Sequence, residues 1–226
     1  MRQIFLDTET TGLYPDQGHR IIEIAAVEMV NRRLTHNHLH VYVNPEREID
    51  AAAQEVHGIT LEFLQDKPLF EAIAEELIHF VKDAELIIHN APFDVGFLNA
   101  ELGRIGLTPI ASYCDKITDT LRMAKDARPG QRNNLDALCR HFGIDNSKRT
   151  LHGALLDAEL LAEVYMAMTR GQDSLLMDLQ QPHETVVVQA PLSVPAKVQV
   201  LAANVEELAA HQAYVEALQK SGAKPW

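Results

Sequence analysis

The chain has 226 residues, enough to bury a substantial core and to suit one domain with an appendage. Its 46% hydrophobic and 23% charged content is that of a soluble globular protein, with no signal-peptide pattern at its start and no apolar run of membrane-span length. A net charge of −12 argues against a protein that coats nucleic acid by bulk attraction, and Cys114 and Cys139, which lack metal-type spacing, read as reduced thiols of a cytoplasmic protein.

Residues 3–7 read as a buried strand, in which Gln3-Ile4-Phe5-Leu6 runs into Asp7-Thr8-Glu9 and then Thr10-Thr11-Gly12. Residues two apart on a strand share a face, so Asp7 and Glu9 aim at one spot. Ionised side chains at the end of an apolar strand are costly unless compensated, and a hard divalent cation held by carboxylate oxygens is one compensator. A lone D-x-E reads better as a polar strand end entering a turn, and only further acids can overturn that reading. A second strand is expected over residues 21–30 and a third over 34–43 after the turn Asn31-Arg32-Arg33, giving an antiparallel meander. His36, His38 and His40 alternate on that third strand and so share a face. With no Cys or Asp beside them, an exposed strand face is the better reading than a metal site.

Pro68 opens a helix to Lys82, with Leu69, Ile73, Leu77 and Phe80 on one stripe, and Glu85-Leu86-Ile87-Ile88-His89 is a short buried strand. Asn90 is placed as the N-cap of the next helix, which carries Pro92 in its first turn and ends near Gly106. Helices over 118–127, 133–142 and 153–169 follow, and this succession implies an α/β sheet flanked by helices. Residues 180–199 hold Pro182, Pro191 and Pro195 without amphipathic period and read as a linker. Beyond it Val205, Leu208, Ala209, Gln212, Val215 and Leu218 recur at helical spacing. So short a helix is marginal alone, and a partner surface is the natural home for its apolar face, with packing back on the domain as the alternative.

Two more acids stand where stability alone would not put them. Asp94 lies in the first turn of its helix, where acid suits the dipole, yet Phe97, Leu98, Leu102 and Ile105 continue its stripe. Asp157 repeats the pattern with Leu160, Leu161, Val164 and Met168. His152 precedes Asp157 by five residues, which puts the two on different helical faces, so His152 belongs to the loop before the helix. A loop histidine facing carboxylates is a candidate general base. Four carboxylates and a histidine suit two-metal hydrolysis of a phosphodiester. Residues 116–149 add eight Lys/Arg against four Asp, a local balance of +4, and Arg128 and Arg132 in that strip are candidate contacts to a nucleic-acid strand.

Three stretches carry a resemblance: Asp7-Thr8-Glu9-Thr10-Thr11-Gly12, His89-Asn90-Ala91-Pro92-Phe93-Asp94, and Leu151-His152-Gly153-Ala154-Leu155-Leu156-Asp157-Ala158. Their order and spacing resemble the motifs of the DEDDh family of 3′→5′ exonucleases over residues 3–170. Residues 27–35, 133–139 and 144–150 are further similar to its proofreading members that serve bacterial replicative DNA polymerases. The resemblance implies a ribonuclease H-like fold, a mixed five-stranded sheet between helices, with a flexible C-terminal tail. It gives Asp7, Glu9, Asp94 and Asp157 the role of ligands to two Mg²⁺ or Mn²⁺ ions and His152 that of general base. Substrate contacts fall to Asp7, Glu9, Thr10, His57 and Asp157, while Ala51-Ala52-Ala53 departs from relatives that carry an acid there.

The expected organisation is an exonuclease domain at 1–171, a clamp-binding peptide and linker at 172–199, and a polymerase-binding segment at 200–226. Gln172, Leu175 and Met177 resemble a peptide that docks in the bacterial sliding clamp. The implied partners are a DNA 3′ end, the polymerase subunit and the clamp, with a small third core subunit left open and no membrane. The implied reaction removes mispaired nucleotides from the DNA 3′ end as 5′-monophosphates. The rival enzyme is a stand-alone DEDDh ribonuclease acting on RNA ends; a scaffold with a dead site is disfavoured by the intact acid and histidine set.

Overall fold

Strand β1 (Arg2–Thr10) is the spine of a five-stranded sheet in the order β3-β2-β1-β4-β5. It pairs antiparallel with β2 (Ile21–Val30), which pairs antiparallel with β3 (Arg33–Tyr42). On its other side it pairs parallel with β4 (Glu85–Ile88), which pairs parallel with β5 (Lys116–Asp119). This computed structural model describes residues 1–147, 149, 151–170 and 204–220, and the chain divides into two units, residues 1–181 and 182–226.

Both faces of the sheet are covered, and the alternation in β1 shows how. Ile4 and Leu6 join one core with Phe70, Leu77, Phe97 and Leu98 from α3 (Phe70–Val81) and α4 (Ala91–Arg104). Phe5 faces the other way and packs with Met29, Leu138, Leu161 and Val164, the last three from α6 (Leu135–Phe142) and α7 (Ala154–Met168). Each such side chain, fully buried, contributes about 1.5–3 kcal/mol of transfer free energy. The hairpin between β2 and β3 turns at Asn31 and Arg32 with φ of 49° and 62°, the positive pair that a two-residue hairpin needs. Arg32 then donates to Thr169 Oγ1 and the Met166 carbonyl, tying the turn to the end of α7.

The mixed five-stranded sheet is as expected, but several elements differ from the sequence reading. β1 extends to Thr10 rather than Asp7, because β2 pairs with it that far. Ala51–His57 and Leu61–Leu64 form helices α1 and α2, where no element was expected. Residues 116–119 form β5, and α5 (Thr120–Ala127) starts only after Asp119, whose carboxylate accepts from the Leu121 and Arg122 amides. Asn90 stands before α4 in a left-handed conformation, φ 67°, and makes no side-chain cap. Asn134 is the cap that does form, accepting from the Ala137 amide. The three histidines of β3 do not share an exposed face: His36 has φ 64°, which breaks the alternation, and His40 is half-buried against Glu23.

Both cysteines are free. The second unit shows α8 (Val205–Lys220), with Val205 and Leu208 exposed. No helix among the described residues is long and apolar enough to cross a membrane. The linker at 180–199, the clamp-type peptide and Trp226 lie outside the described residues.

Candidate active site

Beyond the apolar stretch of β1, the side chains that continue its two faces are polar. Asp7 and Glu9 follow Phe5 on the face that α7 covers; Thr8 follows Leu6 on the opposite face. There the Thr8 hydroxyl donates to Asp94 Oδ1 at 2.7 Å and fixes its carboxyl. Asp94 and Asp157 each sit in the first turn of a helix, α4 and α7, where the exposed amide ends favour negative charge. Asp7, Glu9, Asp94, His152 and Asp157 all line one cavity of about 490 Å³. Glu9, His152 and Asp157 each place a ligand atom within 4.8 Å of the others.

Thr10 and His57 line an adjoining cavity of about 390 Å³, which shares Thr8, Glu9 and Phe93 with the first. The Ile59 amide donates to His57 Nδ1 at 3.0 Å, so the ring of neutral His57 carries its proton on Nε2. Gln172, Leu175 and Met177 lie outside the described residues. The strip at 116–149 splits on inspection: Arg132 is exposed, but Arg128 is spent in part on Asn133, to which its guanidinium donates at 3.2 Å.

Burial and the crowding of acids both disfavour charge on the carboxyls of this site. Burial first, then the charges of Asp94, Asp157 and Glu9, drive the Asp7 carboxyl well above the usual carboxylate range. Burial and the neighbouring Asp157 and Glu23 push Glu9 up to about 8, and burial pushes Asp94 up to about 7 against the Thr8 hydrogen bond. Burial and the Arg149 guanidinium hold His152 below the usual imidazole value.

Several residues at this site escaped the sequence reading. Glu23 is cross-strand partner to Glu9; its carboxylate pairs with His40 at 2.7 Å and accepts from the Ala154 amide at 3.2 Å, anchoring the first turn of α7. Arg149 bonds both oxygens of Asp157, at 2.5 and 2.6 Å, and reaches Asp136 and His152 as well. Its signal was present only as one charge in a basic strip. The loop that carries His152 is pinned by its amide to the Val56 carbonyl at 3.1 Å. Leu151 lies over Gly58, whose φ is 72° and whose missing Cβ would stand 2.7 Å from the leucine Cδ1.

The donor set fits a divalent cation. It consists of hard oxygens on carboxyls, of which burial pushes Asp7, Glu9 and Asp94 towards the protonated form, with repulsion from the other acids of the set added for Asp7 and Glu9. Among the described residues lining the cavity, Arg149 is the one permanent cation.

Comparison with known proteins agrees. A family model described as Exonuclease matches residues 4–165. The DNA polymerase III subunit epsilon of Pasteurella multocida is 51% identical over 97% of this chain and 90% of its own length, and that of Escherichia coli is 49% identical over 98% and 95%. The subunit of the same name from Rickettsia typhi is 55% identical over 81% of each chain. Among solved structures, the nuclease domain of 3′hExo, a DEDDh family member bound to rAMP, shares the fold with TM-score 0.64 at 21% identity, over 76% of this chain and 92% of that one. Exonuclease X in complex with 5′ overhanging duplex DNA gives TM-score 0.59 at 24% identity, over 76% and 93%. The family match spans residues 4–165, and the chain belongs to the exonuclease family, within its DNA polymerase III epsilon subunits.

Proposed function

We propose that this protein is the 3′→5′ proofreading exonuclease of a bacterial replicative DNA polymerase. It hydrolyses the 3′-terminal phosphodiester and releases deoxynucleoside 5′-monophosphates. The observation that carries the reading is the convergence of Asp7, Glu9, Asp94, Asp157 and His152 on one cavity, from one strand, two helices and a loop. The four carboxylates would hold two divalent ions, Mg²⁺ or Mn²⁺, which would supply Lewis-acid activation of the attacking water and of the leaving oxygen.

The rest is work for the chain's own side chains. His152, whose cation burial disfavours, takes the proton of the water that attacks phosphorus. The new P–O bond forms as the bond to the penultimate nucleotide's 3′ oxygen breaks; that oxygen takes a proton from solvent to become the new strand end, and His152 returns its own proton to solvent. Thr8 keeps Asp94 oriented through the reaction. Thr10 and His57 hold the terminal nucleotide in the adjoining cavity. A frayed single strand enters such a pair of cavities more easily than a paired one, and mispaired ends are therefore preferred.

The domain reading is nuclease at 1–171, clamp peptide and linker at 172–199, and polymerase attachment at 200–226, with the DNA 3′ end, the polymerase subunit and the clamp as partners. The names of the relatives favour this over a stand-alone ribonuclease, since three at 49–55% identity are subunits of a DNA polymerase. A mispaired-primer digestion compares DNA with RNA ends, with and without EDTA. Release of deoxynucleoside monophosphates from DNA, lost in EDTA and in Asp7→Ala, is expected; faster degradation of RNA than of DNA would favour the ribonuclease. Gln172→Ala with Leu175→Ala should abolish clamp binding, and unchanged binding would remove the clamp assignment.

A further inference from the structure

The guanidinium of Arg149 makes four polar contacts, and its side chain is only 7% exposed. Nε and Nη2 engage the two oxygens of Asp157 side-on, Nη1 reaches Asp136 Oδ1 at 3.0 Å, and Nη2 also meets His152 Nδ1 at 2.9 Å. Arginine has no acceptor, so Nδ1 of His152 must be the acceptor in that last contact. One side chain thus engages the carboxylate proposed as a metal ligand and also the lone pair of the proposed base. Among the proposed ligands, Asp157 is the one whose oxygens Arg149 bonds directly, while Asp7 and Glu9 feel its charge only through space, so the competition is focused on Asp157.

We propose that Arg149 is a positioning residue, a built-in counter-cation that a divalent ion must displace from Asp157, and that its displacement also removes the hydrogen-bond donor from His152 Nδ1. The inference rests on the reading of Asp157 as a metal ligand. A divalent ion on Asp157 would stand beside a guanidinium of like sign in a buried site, where such repulsion is poorly screened. Asp136 is the seat that remains: it lines the same cavity, is 36% exposed, and already holds Nη1. Metal occupancy and the freeing of the base therefore become one event. An enzyme so built keeps His152 engaged until the acids are loaded.

The test is Mn²⁺ titration of the full-length protein by calorimetry, without nucleotide, for the native chain, Arg149→Gln, Arg149→Lys and Asp157→Asn. Removing a competing charge-assisted contact should tighten Mn²⁺ binding about ten- to hundredfold in Arg149→Gln, with Arg149→Lys between it and the native chain. Equal affinities in the native chain and Arg149→Gln, with binding weakened in Asp157→Asn, would overturn the competition and leave the metal site standing. Undiminished binding in Asp157→Asn would instead overturn the ligand reading. A measurement on the native chain covers the case of a variant that does not fold. The Arg149 Nε–H proton resonance should lose its carboxylate-bonded downfield shift on saturation with Mg²⁺, and an unmoved resonance refutes the displacement.

Discussion

Glu9 and its neighbours bind protons more tightly in the folded chain than in the unfolded one, and that has a sign. Folding moves Glu9 from 4.5 to about 8, so between those values the folded chain holds a proton that the unfolded chain has released, and stability falls as pH rises through that window. Glu9→Gln should therefore raise the melting temperature in EDTA at pH 8, by about 2–8 °C for a gain of about 1–2 kcal/mol, while abolishing nuclease activity. A melting curve no higher than that of the native chain would show that the charge of Glu9 is already compensated. Thr8→Val removes the hydroxyl that orients Asp94. It should cut kcat about tenfold or more with KM little changed, a split that steady-state assays read directly. At this scale the sequence is informative about acids and mute about their counterions. Asp94 and Asp157 betrayed themselves by standing in apolar stripes, whereas Arg149 and Glu23 stood among charges and alternating strand residues that look solvated. Sign is visible in a string of letters; burial of a charge is visible only once its partner, eight residues away for Arg149 and 131 for Glu23, is in place.

Among the elements, the long periodic ones were legible and the short ones were not. The helices α3, α4, α6 and α7 fall within a few residues of their expected bounds, because amphipathic period, proline and glycine mark them. β5 has four residues, too few for any alternation to register, and its Asp119 reads in isolation as helix. That aspartate does more than end a strand. Its Oδ1 accepts from the Leu121 and Arg122 amides and from the Asn90 amide, so it joins the start of α5 to the residue preceding α4, the helix of Asp94. Asp119→Ala should cost about 1–2 kcal/mol by denaturant titration and loosen the Asp94 helix, lowering activity. Asp119→Asn, which keeps an acceptor, should recover most of the stability. Loss of stability without loss of activity would separate the cap from the site.

For the molecule as a whole, the charge of −12 is no obstacle to acting on DNA if other subunits hold the strand and this one needs only its end. Truncation of residues 200–226 should then abolish co-purification with the polymerase subunit and spare mononucleotide release from single strands; survival of the complex would move the attachment elsewhere. Arg132, exposed where Arg128 is partly spent, is the better single probe of strand contact, and Arg132→Glu should weaken single-strand binding and flatten its salt dependence. Neither the tail nor the strip could be weighed from composition alone, since both depend on what else is bound.

The clasp between Val56, Gly58 and the His152 loop joins the wall of the cavity lined by Thr10 and His57 to the proposed base by one hydrogen bond and one leucine. Gly58→Ala, strained at φ 72° and pressed against Leu151, should lower kcat while leaving mononucleotide binding near native. On the proposed reading, fidelity would then acquire a mechanical side: a terminal nucleotide seated badly against Val56 would bear on the loop that delivers His152, and the fit of the strand end would set the timing of the cut.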